Sequence, residues 1–232
     1  MAEDRPAALV TGSASGIGRA AALRLARAGY DVAINYRRSE DDTRRTMAEL
    51  EGLGGRHLAL RADVSDDAAV AAMVAAAGAA YGRLDALVNN AGMTSSTSPD
   101  DLDGVDLAEW DRVFAVNVRG LFQVTRACAD RLRAARGSVV NVASIVGLRP
   151  GPQPLAYAAS KAAVVSLTRT LSRVLAPEVR VNAVAPGWIA GEWMQRNVTV
   201  EDVAETIYSL VAANPFVTGE TIVIDGGYAA TT

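Results

Sequence analysis

The chain has 232 residues, of which half are hydrophobic and 21% are charged, as in an ordinary soluble globular protein. This length is enough for one domain with a sizeable core. The formal net charge of −3 argues against a protein that binds nucleic acid, because such a protein needs a clustered basic face.

The single cysteine, Cys128, excludes an internal disulfide and fits a reducing compartment. It lies in a helical stretch, where we expect a small buried thiol rather than a nucleophile. The first residues are acidic and polar, unlike a secretory signal, and the uncharged run at 68–81 is shorter than the roughly 20 residues that span a bilayer. We therefore expect a cytoplasmic protein with no membrane partner.

The predicted elements alternate between short strands and longer helices. The strands are expected at residues 7–12, 31–36, 57–63, 85–90, 137–144, 179–187 and 220–226. The helices are expected near 16–28, 41–52, 66–80, 107–133, 155–175 and 200–212. Apolar strands separated by helices predict a parallel sheet covered on both faces. We therefore expect one α/β domain over residues 1–232, with a doubly wound, seven-stranded sheet.

Polar and glycine-rich segments follow the carboxyl ends of the first six strands. In chain order they read "TGSASGIG", "NYRRS", "ADVS", "NNAG", "ASIVG" and "PGW". Doubly wound sheets bind their ligands beyond this edge, so the pattern predicts a ligand crevice there.

The segment "TGSASGIG" places Gly12, Gly16 and Gly18 between the first strand and the first helix. Glycines there allow a tight turn and a close approach to a pyrophosphate, which the helix N-terminus also favours. The alternative is an ordinary glycine-rich loop. No Gly-Lys-Ser/Thr follows, so the segment is not a P-loop, and we expect a dinucleotide site.

The residues after the second strand indicate which dinucleotide binds. An acidic residue at this place would bind the ribose 2′-hydroxyl of NAD, whereas arginine accommodates the 2′-phosphate of NADP. Here the strand is followed by Arg37, Arg38 and Ser39, and the first acid is Glu40. Guanidinium groups and a hydroxyl suit a phosphate, so we expect NADP(H). Solvated surface arginines are the alternative.

Tyr157 and Lys161 lie four positions apart in a predicted helix, so their side chains share one face. The alternative is a solvated surface pair. An ammonium about 4 Å from the phenol favours phenolate by about 4 kcal/mol at an effective dielectric constant of 20. This is roughly three pKa units. We therefore expect Lys161 to lower the pKa of Tyr157 towards neutrality.

The chain resembles the short-chain dehydrogenase/reductase family in six features, which occur in the family's order over nearly the whole chain. They are "TGSASGIG", "NNAG", Asn117, Ser144, "YAASK" and "PG". The resemblance implies a Rossmann-type fold. Within the family the chain is most similar to NADPH-dependent carbonyl reductases of the 3-oxoacyl-carrier-protein reductase type. The segments "NYRRS" and "LAPEVRVNAVAP" also resemble pteridine reductases.

The resemblance implies a catalytic role for four residues. Tyr157 would be the general acid that protonates the carbonyl oxygen, and Ser144 would hydrogen-bond that oxygen. Lys161 would bind the nicotinamide ribose and lower the pKa of Tyr157. Asn117 would kink its helix and hold a water that relays protons towards Lys161.

The resemblance also implies the cofactor contacts. Asp63 and Val64 would meet the adenine, and Ile189 would lie beside the nicotinamide with Pro186 and Gly187. The complete set is Gly12, Ser15, Gly16, Ile17, Gly18, Arg37, Arg38, Ser39, Asp63, Val64, Asn90, Ala91, Gly92, Tyr157, Lys161, Pro186, Gly187 and Ile189.

The chain departs from the family between Gly187 and Asp225, where two small helices usually form a substrate lid. The segment is shorter here, and Gly191 stands where a threonine commonly contacts the nicotinamide carboxamide. Trp188, Trp193 and Met194 are candidates for an apolar substrate wall, with core or subunit contacts as the alternative. We expect an open active site.

Other chemistries have little support. The only histidine, His57, is expected to be structural, and one His with one Cys makes no zinc cluster, so we expect no metal. No Gly-x-Ser-x-Gly elbow is present.

Three functions remain open. The first is reduction of a small-molecule or carrier-bound ketone, such as a 3-oxoacyl thioester. The second is reduction of a C=N bond in a pterin-like ring, and the third is a non-catalytic NADP(H)-binding regulator. The resemblance further implies a homotetramer.

Overall fold

The computed structural model describes residues 5–149, 151–188 and 198–227. Four residues singled out above, Ile189, Gly191, Trp193 and Met194, lie outside the described residues, and so does most of the segment expected to be a shortened lid.

Seven parallel strands form one sheet in the order β3-β2-β1-β4-β5-β6-β7. Their bounds are β1 Ala7–Val10, β2 Asp31–Tyr36, β3 His57–Arg61, β4 Ala86–Asn89, β5 Ser138–Val142, β6 Arg180–Pro186 and β7 Thr221–Ile224. The strand order reverses between β1 and β4, which is where such sheets open a crevice for a ligand. The prediction of a doubly wound, seven-stranded parallel sheet in a Rossmann-type domain is confirmed.

Helices cover both faces of this sheet. Their bounds are α1 Gly16–Arg27, α2 Glu40–Glu51, α3 Asp67–Tyr81, α4 Leu107–Phe114, α5 Leu121–Ala135, α6 Leu155–Leu175 and α7 Val200–Tyr208. Residues of α3, α5 and α6 share one apolar core, whereas α1, α2 and α7 contribute to a second core on the opposite face. The strands alternate between the two: Leu9 belongs to the first core and Val10 to the second, since successive side chains point to opposite faces.

The long helix predicted at 107–133 is present, but it is not α-helical throughout. A π-helical segment at Ala115–Gly120 separates α4 from α5, and a second one at Ser209–Ala213 follows α7. Apolar periodicity does not reveal such an interruption, because one extra residue in a turn leaves the pattern on either side intact. π-Bulges are frequent at functional sites.

No helix in the part of the chain that the structure describes is long and apolar enough to cross a membrane.

Candidate active site

The glycine-rich turn connects β1 to α1 and needs glycine for two different reasons. Gly12 and Gly16 have φ angles of +59° and +57°, a region that favours glycine. A Cβ on Gly12 would lie 2.7 Å from the Cα of Ala91, and a Cβ on Gly18 would lie 2.4 Å from Nδ2 of Asn90. The turn is therefore packed tightly against the segment that follows β4.

The outer side of this turn is open. A Cβ on Gly16 would meet nothing within 4 Å. Ser15 is the N-cap of α1, but its side chain makes no capping hydrogen bond, and the first turn contains no acidic residue. The first amide groups of the helix and its positive dipole end thus remain available to an anion. These features fit a pyrophosphate.

Two residues that the sequence analysis did not single out hold the turn in place. The Nδ2 group of buried Asn35 in β2 donates to the carbonyl of Ala62 at 3.0 Å, and its Oδ1 accepts from the amide of Gly12 at 3.2 Å. The hydroxyl of Thr11 accepts from the amides of Asn90 and Ala91, each at 3.0 Å. A polar residue inside the apolar strand "DVAINY" was the available signal for Asn35.

A small cavity of about 140 Å³ lies at the ends of β2 and β3, and Gly12, Arg37, Asp63 and Val64 are among its lining residues. Nη1 of Arg37 donates to Oδ2 of Asp63 at 3.2 Å. Ser65 donates to Oδ1 of the same carboxylate through both its amide and its hydroxyl. Partial burial acts to raise the pKa of Asp63, but the hydrogen bonds from Ser65 and Arg37 outweigh it and the pKa is lowered.

Beside this cavity, Arg38 and Ser39 are exposed at the start of α2. In the described residues Arg38 makes no ion pair. The three acids that follow in α2 are each paired with an arginine, in the pairs Glu40–Arg61, Asp41–Arg44 and Asp42–Arg45. The guanidinium group of Arg38 is therefore left for another anion.

A larger cavity of about 440 Å³ opens at the ends of β4, β5 and β6. The predicted catalytic residues Ser144, Tyr157 and Lys161 line it together with Pro186 and Gly187. Ile17 and Asn90 line it as well, and Gly92 belongs to both cavities. The two cavities thus form one groove along the carboxyl edge of the sheet, as the sequence predicted.

Lys161 does not act on Tyr157 in the way that the sequence analysis expected. Its ammonium donates to the carbonyl of Val142 at 2.7 Å and lies 5.6 Å from the centre of the Tyr157 ring. Burial raises the pKa of Tyr157, and a hydrogen bond with Ser144 opposes this rise only in part. The expected lowering of the tyrosine pKa by Lys161 is therefore wrong for this structure. Tyr157 is a protonated phenol at neutral pH.

The pKa of Lys161 itself is lowered by burial to about 8. Its side chain is 5% exposed, and a buried ammonium loses its hydration. Lys161 is also the only lysine in the chain, which makes its titration accessible to lysine-selective labelling.

Asn117 lies in the π-helical segment between α4 and α5. Its Nδ2 donates to the carbonyl of Met93 at 2.8 Å and to the hydroxyl of Ser160 at 2.9 Å, while its Oδ1 accepts from the Met93 amide at 2.8 Å. Ser160 in turn donates to the carbonyl of Tyr157 at 2.7 Å. Ser160 and Met93, which the sequence analysis missed, thus link Asn117 to the first turn of α6.

Ser144 precedes a short 3₁₀ helix, Ile145–Gly147. A Cβ on Gly147 would lie 2.6 Å from the backbone of Lys161, so only glycine lets this turn pack directly on α6. The contact brings the Ser144 hydroxyl to Tyr157. The glycine of "ASIVG" was visible in the sequence, but its partner was not.

Cys128 and His57, the two other side chains with reactive groups that the sequence analysis considered, have structural roles. Cys128 is fully buried, and desolvation raises the pKa of its thiol to about 12, so the prediction of a buried thiol is confirmed. Nδ1 of His57 accepts from the Val32 amide at 3.2 Å, as befits a structural residue in β3.

The chain matches the family model described as short chain dehydrogenase over residues 6–202. It is 42% identical to a Streptomyces violaceoruber protein that is named as ketoacyl reductase 2 of the granaticin polyketide synthase, with 97% of each chain covered. It is 36% identical to a 3-oxoacyl-[acyl-carrier-protein] reductase of Staphylococcus aureus, covering 95% of this chain and 96% of the relative.

These two alignments extend over 246 and 240 residues, more than the 232 of this chain, so both relatives carry residues that this chain lacks. Among solved structures, the chain is similar to a Burkholderia xenovorans protein whose structure is titled as that of a short-chain dehydrogenase/reductase. The TM-score is 0.94 at 38% identity, over 97% of this chain and 98% of the other. The chain belongs to the short-chain dehydrogenase/reductase family.

Proposed function

We propose that the protein reduces a ketone to a secondary alcohol by hydride transfer from NADPH, with Tyr157 as the general acid. The observation that carries this proposal is the convergence of Ser144, Tyr157 and Lys161 on one cavity that continues into the glycine-turn groove. A 3-oxoacyl thioester is one such ketone, and the names of both curated relatives support this class of reaction.

The residues of the groove fit the cofactor. The open side of Gly16 and the uncapped start of α1 suit the pyrophosphate, and Asp63 and Val64 line the small cavity proposed for the adenine. The nicotinamide and its ribose would be held by Lys161, Asn90, Ala91, Gly92, Pro186 and Gly187. When bound, NADPH supplies the hydride that reduces the carbonyl carbon.

The remaining chemistry belongs to the protein. Tyr157, a protonated phenol at neutral pH, donates a proton to the ketone oxygen, and the Ser144 hydroxyl hydrogen-bonds the same oxygen. Positioned proton transfer of this kind contributes about 10²–10⁴-fold to a rate. Asn117 and Lys161 would return the proton to Tyr157.

Arg38 is the residue on which we base the preference for NADPH. Replacing it with alanine is expected to raise the KM for NADPH by about tenfold and to leave the KM for NADH within about twofold, because the 2′-phosphate loses a charge-assisted hydrogen bond. Steady-state kinetics with both cofactors measure this. Arg45→Ala, at an exposed arginine seven positions further along that pairs with Asp42, is the control. Equal changes for both cofactors would remove the basis for the assignment.

The experiment that separates the three functions is a panel assay. NADPH consumption is followed with ketones, 3-oxoacyl thioesters and dihydropterins. Turnover of ketones supports the proposal, turnover of dihydropterins alone supports the C=N reductase, and NADPH binding without any turnover supports a regulator.

We also propose an open active site, a homotetramer and a cytoplasmic location. Each alignment includes positions at which this chain has no residue, as a shortened lid requires. Phe216, Ile222 and Val223 are large apolar side chains exposed at or near the edge strand β7, and they support burial against another copy of the chain. Sedimentation equilibrium would return about four times the 24.2 kDa chain mass if the tetramer forms.

A further inference from the structure

The wall of the 440 Å³ cavity carries little charge. Among its described lining residues, Lys161 alone has a charged side chain. That ammonium is buried and already donates to the carbonyl of Val142. The described wall therefore offers a substrate carboxylate or phosphate no free cation, and burying an unpaired anion there would be costly.

An aromatic surface stands at the mouth of this cavity. Trp188 follows Gly187 at the end of β6 and lines the cavity, yet 55% of its surface is exposed. The apolar side chains of Met93, Ile145 and Val146 line the same space. An exposed indole on a cavity wall offers a face for stacking another ring.

The surface beside the mouth is strongly acidic. Residues 95–112 contain six carboxylates and one basic residue, Arg112, which pairs with Asp106. The six are Asp100, Asp101, Asp103, Asp106, Glu109 and Asp111. This acidic segment directly follows Thr94, a cavity residue. It lines a second, small cavity together with Leu155 and Ala156 at the start of α6, next to Tyr157. Negative charges clustered at the entrance of a cavity repel negatively charged ligands.

From these three features we propose that the preferred substrate is an uncharged cyclic ketone whose ring lies against Trp188. Anionic ketones, and ketones attached to an acidic carrier protein, are poor substrates because the acidic segment repels them and the described part of the cavity wall offers them no free cation. This inference rests on the proposed ketone reduction and narrows its substrate class.

The charge preference is tested with a matched pair: 1-tetralone, and the same ring system carrying a carboxylate remote from the ketone. At low ionic strength we expect kcat/KM for the anion to be at least about tenfold lower, and the gap to narrow as salt is added. The triple variant Asp100→Asn, Asp101→Asn, Asp103→Asn should raise kcat/KM for the anion severalfold and leave that for 1-tetralone within about twofold. Equal rates for both ketones would overturn the charge preference.

The carrier is tested in the same way. One 3-oxoacyl group is presented as a neutral N-acetylcysteamine thioester and on an acidic acyl carrier protein. A higher kcat/KM on the carrier would contradict the proposal, and a lower one that recovers in the triple variant would support it.

The ring contact is tested with Trp188→Ala and Trp188→Phe. The alanine variant is expected to raise the KM for 1-tetralone by about tenfold with little change in kcat, and phenylalanine to restore most of the loss, since it keeps an aromatic face. An unchanged KM in the alanine variant would exclude the contact. A linear ketone such as 2-octanone should respond less to either substitution.

A binding measurement separates failure of this inference from failure of the proposed function. Quenching of tryptophan fluorescence by 1-tetralone is recorded for the wild type and for Trp188→Phe. If the variant loses the quenching and no ketone causes NADPH consumption, Trp188 binds the ring but the protein is not a ketone reductase. If ketones are turned over but the quenching does not depend on Trp188, the protein is a ketone reductase and the ring does not bind at Trp188.

Discussion

Replacing Tyr157 with phenylalanine is expected to lower kcat for ketone reduction by at least about a hundredfold, within the 10²–10⁴-fold range for the loss of a general acid. The substitution removes the hydroxyl that donates the proton and keeps the ring that lies 5.6 Å from the Lys161 ammonium. NADPH affinity should therefore change by no more than a few fold. Initial rates and fluorescence titration with NADPH measure the two effects separately.

The matched control is Tyr208→Phe, which removes a phenol remote from the cavity and keeps the ring that stacks with Arg24. It should leave kcat unchanged. If the Tyr157 variant retains kcat within about threefold of the wild type, another group donates the proton.

Replacing Lys161 with methionine is expected to abolish activity and to stabilise the fold. The buried ammonium has a pKa of about 8 instead of 10.5, so holding it charged at neutral pH destabilises the folded state by up to about 3 kcal/mol, at 1.36 kcal/mol per unit. Methionine fills a similar volume without a charge. The gain is reduced by loss of the hydrogen bond to the Val142 carbonyl. Such a gain would illustrate the conflict between stability and function at active sites.

The pH dependence of this gain has a definite sign. Between pH 8 and 10.5 the folded state releases the Lys161 proton while the unfolded state keeps it, so wild-type stability rises relative to the variant. The advantage of the methionine variant is complete below pH 8 and disappears near pH 10.5. Cys128, whose pKa is raised to about 12, acts in the opposite direction, but it is present in both proteins and cancels in the difference.

Urea unfolding of both proteins at pH 7, 8.5 and 10 measures this effect. Arg169→Met, an exposed change on the same helix, should lie within about 0.5 kcal/mol of the wild type at every pH. A Lys161 variant less stable than the wild type by the same amount at each pH would contradict the account. Since Lys161 is the only lysine, lysine-selective carbon-13 labelling reports its pKa directly by NMR.

The fold was largely predictable from the sequence because its signals are local. Apolar strands, helical spacing between them, and glycines at 12, 16 and 18 predict the doubly wound parallel sheet and the glycine-rich turn. The convergence of Ser144, Tyr157 and Lys161 followed from their places at strand ends and on one helix, and the structure places all three on one cavity.

The electrostatics of the site were less predictable, because they depend on which groups tertiary packing brings together. The partner of the Lys161 ammonium is a carbonyl of β5, 19 residues away in sequence, and Lys161 does not lower the pKa of Tyr157. Desolvation then raises the tyrosine pKa instead of lowering it. Arg37 likewise pairs with Asp63 from the neighbouring strand end, a contact that single-strand patterns do not reveal.

The most direct test of the account is to follow deuterium from NADPH labelled at C4 of the nicotinamide into 1-tetralone and to analyse the alcohol by mass spectrometry. We expect one deuterium on the carbinol carbon, from one face of the labelled ring, with formation of the labelled alcohol reduced at least about a hundredfold in Tyr157→Phe. Failure to transfer the label to any ketone of the panel, or equal transfer by the Tyr157 variant, would show that this cavity does not reduce ketones as proposed.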